Sequence, residues 1–352
     1  MRGVRPGRAA LVGGQDLTDG DGSRAEAPGR GRHRGRRRRG RKGEQTVVPE
    51  AEFTSYYGRP VLNQPAWQPL NIAGYFFLGG LAGAGSVLAA GAELTGRPVM
   101  ARALKTSSAV AVAGSAAALI HDLGRPGRFV NMLRVFKPTS PMSVGSWLLS
   151  AYGPAAGVAA LCDLRGTLPR VGRAATAGAA LLGPSVATYT AVLAADTAVP
   201  GWHDGYRELP FVFVGSAATA ASGMALAMSP TAENGPARSA ALAGTALENA
   251  ALKAMERRLG LVAEVYRDGP GGRWMRAAGA LSAAGAAGAA LLAGRSRVAA
   301  AASGLTLLAA SACTRLGVFH AGLESSRDPK YTVLPQRARL RRHQAAGPDG
   351  TP

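Results

Sequence analysis

Four stretches of the chain carry no Asp, Glu, Lys or Arg at all: residues 70–92, 142–162, 174–195 and 209–228, which are 23, 21, 22 and 20 residues long. The hydrocarbon core of a bilayer is crossed by about 20 apolar residues of helix. Four uncharged runs of that length exclude an ordinary water-soluble enzyme, although 352 residues would otherwise suit about two soluble domains. The mean hydropathy of +0.04 hides the pattern, because polar ends dilute an apolar middle.

Backbone amides in lipid must be satisfied within their own segment, so such spans are helices. Eight are expected, at residues 70–94, 103–120, 142–161, 174–195, 209–228, 237–254, 277–293 and 298–319. Ala and Gly dominate them, and small residues let helix backbones approach closely, as Gly79, Gly80, Gly83 and Gly85 would in the first. The sixth is the least apolar, with Glu248, Lys253, Glu256, Arg257 and Arg258. Either its membrane part is short and the rest follows the surface, or its carboxylates lie inside the bundle. An ionisable group at membrane depth is costly and usually functional.

The ends differ in character. Residues 1–46 hold 13 Lys+Arg and 5 Asp+Glu and nothing able to bury a core, so a disordered basic tail is expected. No apolar stretch follows the basic residues before residue 70, so no cleavable signal is expected. Residues 47–69 read as an extended, partner-docking segment, 70–325 as the membrane domain and 326–352 as a basic C-terminal tail. An even number of spans puts both termini on one side. That side collects 17 Lys+Arg in its loops and ends, leaving out 1–46, against 9 opposite. The positive-inside rule then places the termini in the cytoplasm of a multi-pass cell-membrane protein.

Two cysteines, Cys162 and Cys313, are too few for a four-thiolate cluster, and the five histidines form no metal-ligand pair, so no bound metal is expected in this chain. Polar residues instead gather where helix ends meet the terminal side. Asn71 and Tyr75 open the first helix on one face, His121 and Asp122 close the second, Ser143, Ser146 and Trp147 open the third, and Tyr189 and Asp196 lie near the end of the fourth. Each also has a plainer role: Asn71 as a cap, His121 and Asp122 as interfacial groups, Tyr189 in an aromatic belt. Together, under one membrane surface, they suit an amphipathic ligand such as a quinone. Its two carbonyl oxygens need hydrogen-bond donors, its reduction needs two protons, and Asp or His can supply them.

The segment His121-Asp122-Leu123-Gly124-Arg125-Pro126, continuing through Arg128-Phe129 to Pro141-Met142-Ser143-Val144-Gly145-Ser146-Trp147, resembles the signature of the NrfD/polysulfide reductase membrane-subunit family. Tyr75 to Gly83, Thr188 to Leu193, and Ser55-Tyr56-Tyr57-Gly58-Arg59-Pro60 are similar to other parts of that family, with Ala191 where Gly is commoner. The resemblance implies an all-α integral membrane subunit of eight transmembrane helices in two four-helix bundles, with no haem or metal of its own. It implies electron exchange between menaquinone or another quinone and a four-cluster ferredoxin-like iron–sulfur subunit, coupled to a molybdopterin catalytic subunit. It places the quinone site within the first four helices, under the partner on the side of the termini, which the positive-inside rule makes cytoplasmic. Carried over by position, Asn71, Tyr75, His121, Asp122 and Tyr189 would bind quinone. His121 and Asp122 would handle protons, and Glu248 could belong to a proton path. Membrane lipid is a further expected partner and nucleic acid is not. Two other readings stand beside this one: a haem held between His121 and His320, and a transporter using Glu248.

Overall fold

The computed structural model describes residues 61–63, 65, 67–122 and 127–346. The expectations placed on 1–46, on 47–60 and on Leu123–Pro126 lie outside them. Among the described residues all regular structure is helical. Eight helices have 20 residues or more: α1 (Pro69–Leu94), α2 (Pro98–Asp122), α3 (Pro141–Arg165), α4 (Pro169–Ala195), α5 (Leu209–Met228), α6 (Gly235–Leu259), α7 (Gly269–Leu291) and α8 (Arg297–Arg327). A shorter α9 (Lys330–Ala346) follows, so part of the expected basic tail is helical.

The sequence starts these helices in a uniform way. Proline occupies the first or second position of α1 through α7. First-turn amides have no partner inside a helix, so proline forfeits nothing there and its fixed φ sets the first turn. α8 starts instead behind Ser296, whose hydroxyl oxygen accepts from the Ala299 N–H at 3.3 Å. Gly166 ends α3 at φ 65°, the left-handed conformation that closes a helix cheaply only at glycine.

α1 to α5 and α8 are long and apolar enough to cross a membrane, and the protein is a multi-pass membrane protein. α6 and α7 fall outside that set. α6 has Glu248 at mid-length, and α7 carries Arg273 and Arg276 in its first two turns before a run of Ala and Gly. Elsewhere the helices outrun the expected spans at their ends. α2 begins at Pro98 rather than 103, and α8 continues to Arg327 rather than 319. Charged residues such as Arg102 and Glu324 end an apolar stretch without ending a helix.

α1 packs against α2, α4, α5 and α8. Within α1–α4 the contacts join α1 to α2, α2 to α3, α3 to α4 and α4 to α1, and the same circuit recurs among α5–α8. Each circuit closes on a pair of glycines. Gly83 of α1 faces Gly183 of α4, and Gly223 of α5 faces Gly304 of α8; a Cβ on any of them would run into the facing carbonyl oxygen. Lipid gives apolar side chains no advantage in pairing with each other, so such close backbone contact supplies much of the attraction.

One group of charges within the helices is closely matched. Lys105, only 6% exposed, meets Glu93 at 2.7 Å and Asp163 at 3.2 Å, and Arg102 meets Asp163 at 2.8 Å. This neutral quartet ties α1, α2 and α3 together at the end where α1 stops and α2 starts. At the opposite end the lead-in to α1 is pinned by stacking. Trp67 lies on Trp202 with ring centroids 5.5 Å apart, and the fully buried Trp202 donates its Nε1–H to the Val318 carbonyl at 2.7 Å.

Candidate functional site

Alternation of helix direction brings the start of α1, the end of α2, the start of α3 and the end of α4 to one end of the first circuit. There Asn71 is the hub. Its Nδ2 lies 3.0 Å from Gln68 Oε1 and 3.0 Å from His121 Nδ1. With both amide hydrogens used in this way, His121 Nδ1 is the acceptor and its ring proton sits on Nε2. Asp122 closes the set from α2, its Oδ1 accepting the Gln68 backbone N–H at 3.4 Å. His121 is exposed while Asn71 and Asp122 are half-buried, so the cluster opens outward.

Beneath it lie two tyrosines. Tyr75, one turn into α1 from Asn71, and Tyr189 of α4 are both buried, and their rings meet edge to face with centroids 6.2 Å apart. Ser115 of α2 fixes α1 at this level, donating its hydroxyl to the Tyr75 carbonyl at 3.1 Å. Tyr189 fits because α3 carries Gly145 at the crossing; a Cβ there would collide with the Tyr189 ring. The Tyr189 hydroxyl is buried and has no hydrogen-bond partner among the described residues. A buried phenol left unpaired is costly, which marks the position as one that a ligand can complete.

Among the described residues the Tyr189 O–H is left without a partner, beneath the polar groups of His121, Asn71 and Asp122 that open outward. That combination can hold two carbonyl oxygens in one redox state and two hydroxyls in the other. Ser143, Ser146 and Trp147 take other work. Ser143 accepts the Lys137 N–H at 3.0 Å and donates to the Val135 carbonyl at 3.1 Å, Ser146 bonds the Ser143 carbonyl, and Trp147 meets Phe136 edge to face. They fold the loop before α3 onto its first turn. Asp196 caps the end of α4 with its backbone N–H on the Val192 carbonyl.

Glu248 lies apart from this cluster, in the second circuit. It is 5% exposed and accepts the Thr314 hydroxyl at 2.5 Å. Two residues of weight here escape a reading of spans alone. Gln68 joins α1 to α2, a role set by how the chain enters the helix. Arg315 is fully buried in α8, and its signal was legible: it is the one charged residue between 298 and 319.

The family model described as polysulphide reductase, NrfD, matches residues 60–243. That stretch takes in α1 through α5, all five residues of the clustered site and the first turns of α6. Among curated proteins, none matches the chain in sequence.

Proposed function

Because the chain belongs to the polysulphide reductase NrfD family, we propose that it is the membrane subunit of a quinone-linked oxidoreductase. In this reading it exchanges electrons between menaquinone and the iron–sulfur subunit of a partner complex. The observation that carries the reading is the pairing of Asn71 with His121, next to Asp122 and above an unpartnered Tyr189 hydroxyl. Tyr189 O–H and His121 Nε2–H hold the two headgroup oxygens, with Asn71 orienting the imidazole. Asp122 and His121 pass the two protons that accompany two-electron reduction. Tyr75 forms the apolar wall on which the headgroup rests, and the isoprenoid tail lies between helices toward lipid.

A four-cluster ferredoxin-like subunit docks over the site and relays electrons to a molybdopterin catalytic subunit. In this reading α6 and α7 also span, with Glu248 buried and Lys253, Arg257, Arg258, Arg273 and Arg276 exposed toward the helix ends, which makes eight spans in two four-helix bundles. The site faces the cytoplasm of the cell membrane, the side with more Lys and Arg. Glu248 belongs to a proton path in the second bundle.

The test is menaquinol-dependent reduction of the iron–sulfur subunit in the purified complex. Asp122→Asn is expected to slow it about 100-fold, the lower range for loss of a general acid–base group. Turnover at the wild-type rate in both Asp122→Asn and Tyr189→Phe would remove the site assignment.

A further inference from the structure

The quartet around Lys105 ties α1, α2 and α3 at the end of the first circuit away from the clustered site, and it leaves α4 out. Between the quartet and the start of α4 lies a cavity of about 240 Å³, which the four charged residues line together with Cys162 of α3 and Pro169 and Arg173 of α4. Its charges do not balance, because Arg102, Lys105 and Arg173 face only Glu93 and Asp163. Both carboxylates are already taken: Lys105 meets each of them, and Arg102 Nε meets Asp163. Among the described residues Arg102 spends no other nitrogen, and Arg173 is exposed with no hydrogen bond or ion pair.

What remains in the cavity is donor capacity without an acceptor. A guanidinium offers a planar fork of N–H groups that matches phosphate oxygens. The first turn of α4 adds amides with no intrahelical partner and the positive end of the helix dipole, and Pro169 puts that turn on the cavity wall. The sequence neighbours of the lining residues are apolar and exposed: Leu161 and Leu164 of α3, Leu168 in the turn and Val171 of α4. A basic pocket between membrane helices, with an apolar surround, suits an anionic headgroup whose chains stay in the lipid. A zwitterionic headgroup fits less well, since its own cation would meet the same excess of positive charge.

We propose that this cavity binds the phosphate of an anionic phospholipid, which bridges Arg102 of α2 to Arg173 of α4. The lipid thereby closes, at this end, the ring of four helices that the quartet leaves open. Arg102 holds the phosphate through its Nη groups while its Nε stays on Asp163, and Arg173 holds it from the other side. Lys105 remains with Glu93 and Asp163 and keeps both carboxylates from repelling the anion. The site lies on the face opposite the clustered residues, so it does not depend on what binds between Asn71 and Tyr189.

The test is thermal melting of the full chain, delipidated in detergent, with phosphatidylglycerol, phosphatidylcholine or inorganic phosphate added back. A ligand that binds only the folded state raises the melting temperature. Phosphatidylglycerol is expected to raise it, and the other two are not. Arg173→Gln is expected to need about tenfold more phosphatidylglycerol for the same shift, the loss of one charge-assisted hydrogen bond. Arg173→Lys, which keeps the charge and loses the fork, serves if Arg173→Gln does not assemble, with a smaller loss expected. Arg165→Gln removes an exposed cation at the same end that does not line the cavity, and it is expected to respond as the wild type does. Phosphatidylglycerol should also slow alkylation of Cys162 and leave Cys313 unaffected. Equal shifts from both lipids, or a loss in Arg165→Gln that matches the loss at Arg173, overturn the proposal. A shift from inorganic phosphate as large as that from phosphatidylglycerol overturns the lipid as occupant.

Discussion

At the scale of single residues the first test falls on Tyr189. Its hydroxyl is buried and unpartnered, so removing it should leave the fold intact and weaken only the bound ligand. Tyr189→Phe is expected to raise the KM for menaquinol about tenfold, the value of one ordinary hydrogen bond, with an unchanged melting temperature in detergent. Glu208 is a different case. Arg258 grips it at 2.5 Å and holds its carboxyl below the usual carboxylate range, outside the membrane-spanning helices. A depressed carboxylate contributes stability above its unfolded pKa and loses it as pH falls through the folded value. Thermal melting measured from neutral pH down to about 3 should therefore fall more steeply in the wild type than in Glu208→Gln, because the amide has no proton to gain. Residue-level roles were unequally legible in the sequence. Helix direction alone put Asn71 and His121 at one membrane surface, while their hydrogen bond is visible only in the structure. Lys105 and Arg315 were passed over because an apolar count tolerates one charge, and the partners that make each bearable lie on other helices.

At the scale of helices the two glycine crossings and the quartet around Lys105 fix where elements touch. Gly83→Ala or Gly304→Ala must push a backbone aside, since the facing atom is a carbonyl oxygen rather than a flexible side chain. Each is expected to destabilise by about 1–3 kcal/mol, seen as a lower melting temperature of the purified protein. Lys105→Met strips Glu93 of its buried cation and leaves Asp163 only the exposed Arg102, for an expected loss of about 3 kcal/mol, the lower end for a broken buried pair. Four helices were readable from the four uncharged runs, because each run lies within one helix; the other four carry charges such as Lys105, Glu248, Arg273 and Arg315 and were less plainly marked. Helix ends were not readable. They are set by prolines such as Pro98, by the Ser296 cap and by ion pairs among residues far apart in sequence, none of which enters a count of apolar residues.

For the whole molecule the prediction concerns sidedness. A fluorescent protein fused after Pro352 should fluoresce and an alkaline phosphatase fused there should be inactive, because the termini are expected in the cytoplasm. The reverse pattern would also move the clustered site to the outer face, since the start of α1 and the end of α8 share one side when the number of spans is even. The length of α8 bears on that face. Its 31 residues reach about 46 Å at 1.5 Å each, while the hydrocarbon measures about 30 Å. Even with tilt, several turns of α8 extend past the hydrocarbon, but not as a bare post. Ala321, Ser325 and Ser326 in its last two turns are buried, with Ser325 Oγ accepting the Gly201 N–H at 2.9 Å, so whatever polypeptide settles on this side meets α8 already sheathed by the segment around Trp202.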